Sequence, residues 1–267
     1  MGDAFDYHHL LLQQRRMWNR TAIQVAVILA IIATCFFYVG LFDIKRLSEG
    51  IPSLFSLFSE MLPPNFNDVR NWIKPLIDTV AMSVAGTALA VAFSLPLALL
   101  AAPNTSPHPI VYQMARGILN GLRAIPELIM GIIFVAAVGF GALPGVLALG
   151  LHSIGMVGKF FAESIEHADT SPIEAARAAG ATPLQVIMHG ILPQALPQMA
   201  DVSIYRWEYN FRASTVMGMV GAGGIGFELM GSLRLMQYQD VFAILLVILV
   251  MVTIVDNLSG YLRKRFK

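Results

Sequence analysis

The sequence is poor in charge and has almost no cysteine. Asp, Glu, Lys and Arg make up 13% of its 267 residues, and Cys35 is the one cysteine. A lone cysteine in an apolar run excludes a disulfide framework and a cysteine-based metal site. Six histidines are present, His8 and His9 adjacent, but HExxH and comparable ligand spacings are missing, so no metal site is expected. A GxxxxGK[ST] phosphate loop is missing too: Gly158-Lys159 is followed by Phe160 and lacks the first glycine. No activated nucleophile or catalytic carboxylate pair can be placed, which argues against an enzyme and for a chain that binds no cofactor. The net charge of +1 argues against nucleic acid as a partner.

What is present is hydrophobic. Apolar residues make up 56% of the chain, and the mean hydropathy of +0.65 places it among membrane proteins rather than large soluble domains. With apolar runs of helix-spanning length, the fold class expected is an all-α membrane protein. Residues 1–20 form a polar segment with Arg15, Arg16 and Arg20 before the first apolar run. Residues 21–42 are long enough to span. They exceed a signal-peptide core and lack a small-x-small cleavage site, so they read as a retained first span. Residues 43–74 form an extramembrane segment with four basic and four acidic residues. Within it Leu47, Ile51, Leu54, Phe55, Phe58, Met61 and Leu62 fall at helical spacing. That pattern suits a helix on the membrane surface or one packed on the other spans, ended by Pro63-Pro64.

The transmembrane core is expected over 75–262. Its second span, 78–102, has Asp78 as cap, Pro96 as a kink, and Gly86, Ala90 and Ser94 as a close-packing face. The third, 117–139, carries Arg116, Asn120, Arg123 and Glu127 at spacings that share one helical face. The fourth, 143–161, contains His152 and Ser153. The stretch 200–229 holds Arg206, Glu208, Asn210 and Arg212 and is a poor span by hydropathy. The last span, 238–262, precedes a basic tail, 263–267.

A polar break at 171–193, inside the loop 162–198, reads as two short capped helices. Ser171 caps the first, with Pro172 at its first position and Glu174 three residues on, and Gly180 stops it in the left-handed conformation. Thr182, Pro183 and Gln185 repeat the pattern, and Gly190 and Pro193 end it. Each helix is too short to be stable alone.

Glu174-Ala175-Ala176, Gly180 and Leu192-Pro193 resemble the EAA loop of ATP-binding-cassette importer permeases. One position departs from that pattern: Gly190 stands where an apolar residue, usually Ile, is expected. The resemblance implies a type I importer permease fold of about six spans, with 200–229 as the fifth and 171–193 as coupling helices. It also implies partners: a second permease copy, two ATPase subunits that hold ATP and Mg2+, and a periplasmic or lipid-anchored binding protein. The segments Leu122–Leu128, Ser203–Glu208 and Gly221–Gly226 are similar to phosphonate importer permeases specifically. D-methionine permeases share the Gly-Ala-Gly-Gly phrase more loosely.

Lys and Arg counts set the orientation. With six spans, eleven of the 18 lie on the side of both termini and the EAA loop, five on the other, and Arg206 and Arg212 within the membrane. This predicts a multi-pass protein of the bacterial cytoplasmic membrane with both termini cytoplasmic.

Intramembrane charges normally line a cavity or pair. Arg123 with Glu127, and Glu208 with Arg212, have the spacing to pair. Arg206 has no acidic residue four away and suits a passing phosphonate, to which a guanidinium offers paired donors. Arg206, Arg212, Glu208, Asn210, Arg123, Glu127 and His152 are therefore the path candidates. His152 also suits an interhelical hydrogen bond, and Asp256 a local pair. Gly221, Gly223, Gly224 and Gly226 match GxGxxG, but no strand precedes them, so a dinucleotide site is rejected. Their density suits close backbone approach or helix bending. A reading from another class, a membrane enzyme or proton relay through Arg123, Glu127, Glu208 and Arg212, has no use for a docking loop.

Overall fold

The computed structural model describes residues 7–266, so the first six residues of the polar 1–20 segment and Lys267 of the tail lie outside it. The chain falls into two units, Met1–Ser59 and Glu60–Lys267. The first holds α1 (Tyr7–Val39) and nearly all of α2 (Ile44–Glu60). The stretch Gln14–Val39 is apolar and long enough to cross a bilayer. α2 is amphipathic, with no buried residue.

The second unit is a helical assembly centred on α6 (Ala142–Glu166). Among the described residues, α3 (Val69–Ala101) packs along α6 more extensively than any other pair of helices. Gly86, Ala90 and Ser94 form that seam: a side chain at Gly86 would come within 3.1 Å of Leu149 Cβ, and Ser94 Oγ donates to Ile154 O at 3.1 Å. Small residues matter here because lipid supplies no hydrophobic drive for helices to associate, so they cohere by close packing. α3 begins earlier than expected. Asp78 lies inside it rather than capping it, and both Pro75 and Pro96 are accommodated within the helix.

The expected straight third span is broken. α4 (Pro109–Ala124) and α5 (Glu127–Val138) meet at a bend of 85°. The cause is Pro126, whose ring disfavours helical backbone at the residue before it; Ile125 is accordingly extended, at φ −91 and ψ 120. Glu127 therefore starts a new helix and does not share a face with Arg123.

After α6 the chain enters the hairpin. α7 (Thr170–Ala178) is capped by Asp169, whose side chain accepts from Ser171 N; Ser171, the expected cap, lies inside the helix because the longer-reaching carboxylate two residues upstream takes that role. Gly180 has φ +80. Its N–H bonds Arg177 O while Ala181 N–H bonds Ala176 O, the paired closure of a helix ending left-handed. Thr182 and Gln185 form a complete capping box on α8 (Pro183–Val186). Gly190 and Pro193 do not end this helix. It widens into a π turn, Ile187–Ile191, and continues as α9 (Leu192–Met217). A wide turn ahead of Pro193 leaves room for its ring and needs no N–H from it.

A 3-10 turn, Gly218–Val220, leads to α10 (Ile225–Arg234), and α11 (Tyr238–Phe266) closes the chain. The stretch Pro183–Val220 and α10 are bent by 42°. Four helices are long and apolar enough to cross a membrane among the described residues, and six spans result if each bent pair counts as one.

Candidate functional site

α9 carries polar residues on two faces, and each face is held by a different neighbour. On one, Arg206 and Asn210 are buried, at 5% and 0% exposure. Asn210 Nδ2 donates to Thr87 Oγ1 at 2.9 Å on α3, and its Oδ1 accepts from Ser153 Oγ at 3.0 Å on α6. Ser153 Oγ in turn accepts from Arg206 Nε at 2.8 Å. The guanidinium lies over the Tyr209 ring, 4.2 Å from its centroid, and Tyr209 OH donates to Glu127 Oε1 at 2.8 Å. Glu127 Oε2 meets His152 Nε2 at 3.1 Å, and His152 Nδ1 donates to Ile125 O at 3.1 Å. A continuous polar chain thus runs from α3 through α6 and α9 to the α4–α5 break.

Two features give this chain chemical character. Arg206 Nη2 is buried with no hydrogen-bond partner, so a charged donor points at nothing that accepts from it. His152 sits between a carbonyl and a carboxyl, both acceptors when Glu127 is ionised. Glu127 Oε1, on the side away from His152, accepts from the Tyr209 hydroxyl.

The other face of α9 is an ion cluster. Glu208 bonds Arg212 Nη2 at 2.5 Å, Ser259 Oγ at 2.9 Å and Arg263 Nη2 at 3.4 Å. Arg212 also reaches Asp256 at 3.4 Å. Asp256 thus pairs across helices, 44 residues away, and not locally. This cluster fastens α9 to α11.

The structure therefore brings Arg206, Asn210, Glu127 and His152 together, and places Glu208 and Arg212 apart from them. Arg123 joins neither group: its pair with Glu127 is not formed, and its side chain lies over Gly155 on α6. Sequence reasoning missed Tyr209 and Thr87. Tyr209 could have been found, since it stands three residues from Arg206, the spacing at which a helix brings side chains together. Thr87 left no local signal.

The hairpin presents a different surface. Ile173, Val186 and Ile191 are buried in the core shared by α3, α4, α6 and α9, and Gln194 bonds both Asp169 and Gly190. Glu174, Ala175, Gly180 and Pro193 face outward, Ala176 and Leu192 are partly covered, and Leu184 and Met188 are 68% and 51% exposed. In the glycine segment, Gly221, Gly223 and Gly224 have φ of +96, +74 and +72, which turns the chain between α9 and α10. Gly226 serves close approach instead: a Cβ there would stand 1.7 Å from Thr215 O. Among the described residues no strand occurs, and no three metal-ligating side chains cluster.

Helices long and apolar enough for up to six spans, a polar seam within the second unit and a capped hairpin anchored in that unit's core are the features of a multi-pass membrane subunit. The chain belongs to the binding-protein-dependent transport system inner membrane component family, whose pattern matches residues 94–267. It is similar to the phosphite transport system permease protein PtxC of Stutzerimonas stutzeri, with 69% identity over 100% of both chains. It is also similar to the phosphate-import permease protein PhnE of Mycolicibacterium smegmatis, with 42% identity over 82% of this chain and 41% of that one. Its fold is that of type I importer permeases. The inward-facing MetNI methionine ABC transporter superimposes with a TM-score of 0.64 over 73% of this chain and 96% of the other, at 21% identity, a likeness that speaks for the fold alone. A transport component is thus the class of the protein, and the enzyme or proton-relay reading is set aside.

Proposed function

We propose that this chain is the permease subunit of an ATP-binding-cassette importer that carries phosphite, or a closely related phosphonate or phosphate, across the bacterial cytoplasmic membrane. The observation that carries the reading is the likeness to a phosphite permease over the full length of both chains. Two copies form the path, two ATPase subunits bind ATP and Mg2+ and dock on the hairpin, and a binding protein outside delivers the ligand. Both termini then lie in the cytoplasm. The permease itself binds no cofactor and hydrolyses nothing.

Glu174, Ala175, Ala176, Gly180, Leu192 and Pro193 are assigned to coupling. Outward-facing residues on a hairpin whose other face is buried in the transmembrane core suit a lever between ATPase and spans. Gly221, Gly223, Gly224 and Gly226 are assigned to the bend and packing that a gate needs. Arg206, with Asn210, Glu127 and His152 around it, is assigned to the path, supported by its unpartnered donor. Glu208 and Arg212 are assigned to structure.

Reconstitution tests the reading. Proteoliposomes holding this chain, its ATPase and its binding protein should take up labelled phosphite only with ATP, and Arg206→Gln should lose uptake while the ATPase still copurifies. Uptake of methionine in place of phosphite would refute the substrate; uptake without an ATPase would refute the class.

A further inference from the structure

Tyr209 occupies two positions that an incoming anion would need. Its ring covers the guanidinium of Arg206, and its hydroxyl fills the free acceptor of Glu127. We propose that Arg206, Tyr209 and Glu127 form an oxyanion site that admits only ligands bearing a P–OH group, which displace the Tyr209 hydroxyl from Glu127 Oε1. This rests on the reading that the chain passes a phosphorus oxyanion.

The argument is one of donor and acceptor counting. The site offers an unused cationic donor, the buried Arg206 Nη2, and an acceptor, Glu127 Oε1, satisfied at present by an O–H. A singly protonated phosphite, phosphonate or phosphate brings both complements: an anionic oxygen for Arg206 and a hydroxyl for Glu127. Exchanging the tyrosine O–H for the ligand O–H leaves the carboxyl satisfied and gives Arg206 the partner it lacks. Sulfate is fully ionised near neutral pH and carries no O–H. Its entry would strip Glu127 of a donor and set an anion beside a carboxyl. A missing hydrogen bond to a charged group corresponds to about a tenfold or greater loss of affinity. His152 holds Glu127 from the other side and so acts as a positioning residue for Oε1. The binding protein selects what is delivered; this site selects again inside the membrane.

The test uses the permease–ATPase complex purified without binding protein, titrated with phosphite, phosphate or sulfate at equal ionic strength while thermal unfolding is followed. The part of the response that Arg206→Gln removes belongs to this site. In the wild type, phosphite and phosphate should act at concentrations about tenfold or more below sulfate. Glu127→Gln, whose amide can turn its N–H2 toward sulfate, should close that gap. Tyr209→Phe, which keeps the ring and removes the competing hydroxyl, should respond at lower phosphite and carries the test if Glu127→Gln fails to assemble. Equal responses to phosphite and sulfate in the wild type, no Arg206-dependent response at all, or a gap unchanged in both variants would overturn the proposal. Phosphite uptake by the complete importer alongside any of those results removes this inference and leaves the permease assignment; methionine uptake in its place removes the assignment itself.

Discussion

Gly226→Ala is the substitution for which the structure gives the sharpest expectation. Its Cβ would lie 1.7 Å from Thr215 O and 2.9 Å from Thr215 C, both backbone atoms of α9, and the facing segment is close too, since a Cβ at Gly218 would lie 2.4 Å from Phe227 N. No rotamer change relieves a clash between backbones, so α10 must withdraw by about 1.3 Å to reach the 3.0 Å below which real Cβ contacts essentially never fall. It is not free to do so. Ile225 N donates to Thr79 Oγ1 at 2.8 Å, and the Ile225 side chain is packed with Trp72, Ala243 and Ile244. Overpacking of this kind costs roughly 1–3 kcal/mol, and the loss of the Thr79 bond places this case near the upper end. A cost of about 3 kcal/mol lowers the melting temperature of a chain this size by roughly 6–12 °C. Gly231→Ala on the same helix is the control, because a Cβ there meets nothing within 4 Å. It should be neutral or gain up to about 1 kcal/mol from helix propensity. The assay is thermal unfolding of both variants in one detergent; equal melting temperatures would refute the backbone-contact argument.

Three further substitutions probe the hairpin and the two faces of α9. Thr182→Ala removes the acceptor of Gln185 N and should cost about 1 kcal/mol, read as faster hydrogen exchange at residues 182–186 and weaker ATPase copurification with little change in global melting. Glu208→Ala leaves Arg212, Arg263 and Ser259 without their shared acceptor. Both arginines are partly exposed, which lowers the cost from that of a fully buried pair to about 1–3 kcal/mol, measured by melting and by a double-mutant cycle with Ser259→Ala. Asn210→Ala removes two hydrogen bonds between helices and should cost about 1–3 kcal/mol at the 0.6–1.7 kcal/mol typical of such bonds in membranes; melting no lower than wild type would show the network to be idle.

The capping box at Thr182 and the left-handed stop at Gly180 were legible because each is decided within a few residues of sequence. The cap of α7 misled for the same reason. Ser171 with Glu174 satisfies the local capping-box pattern, but Asp169 is as good an N-cap residue type, and sequence alone does not say which oxygen turns toward the free N–H groups. Asp256 was beyond reach of any local rule, since its partner Arg212 stands 44 residues away. The seam of Gly86, Ala90 and Ser94 was readable from spacing, because close packing in lipid needs small residues at one face, whichever helix supplies the other.

Two prolines, Pro96 and Pro126, show where local rules stop and packing decides. Pro96 and Pro126 carry the same steric penalty, yet α3 passes through Pro96 while the third span breaks at Pro126. Around Pro96, α3 is pressed against α6, with Ser94 bonded to Ile154 O, and breaking the helix would open that seam. At Pro126 the break is compensated: the carbonyl of Ile125 accepts from His152, and Glu127, freed from the face it would share with Arg123, takes Tyr209 and His152 as partners. The break thus creates the site. Had the third span stayed straight, Arg123 and Glu127 could have paired with each other, and Tyr209, the cover of Arg206, would have lacked the acceptor that holds it in place. A break in a span, tolerated only where its polar groups are satisfied by protein, is therefore the step that joins fold to function here.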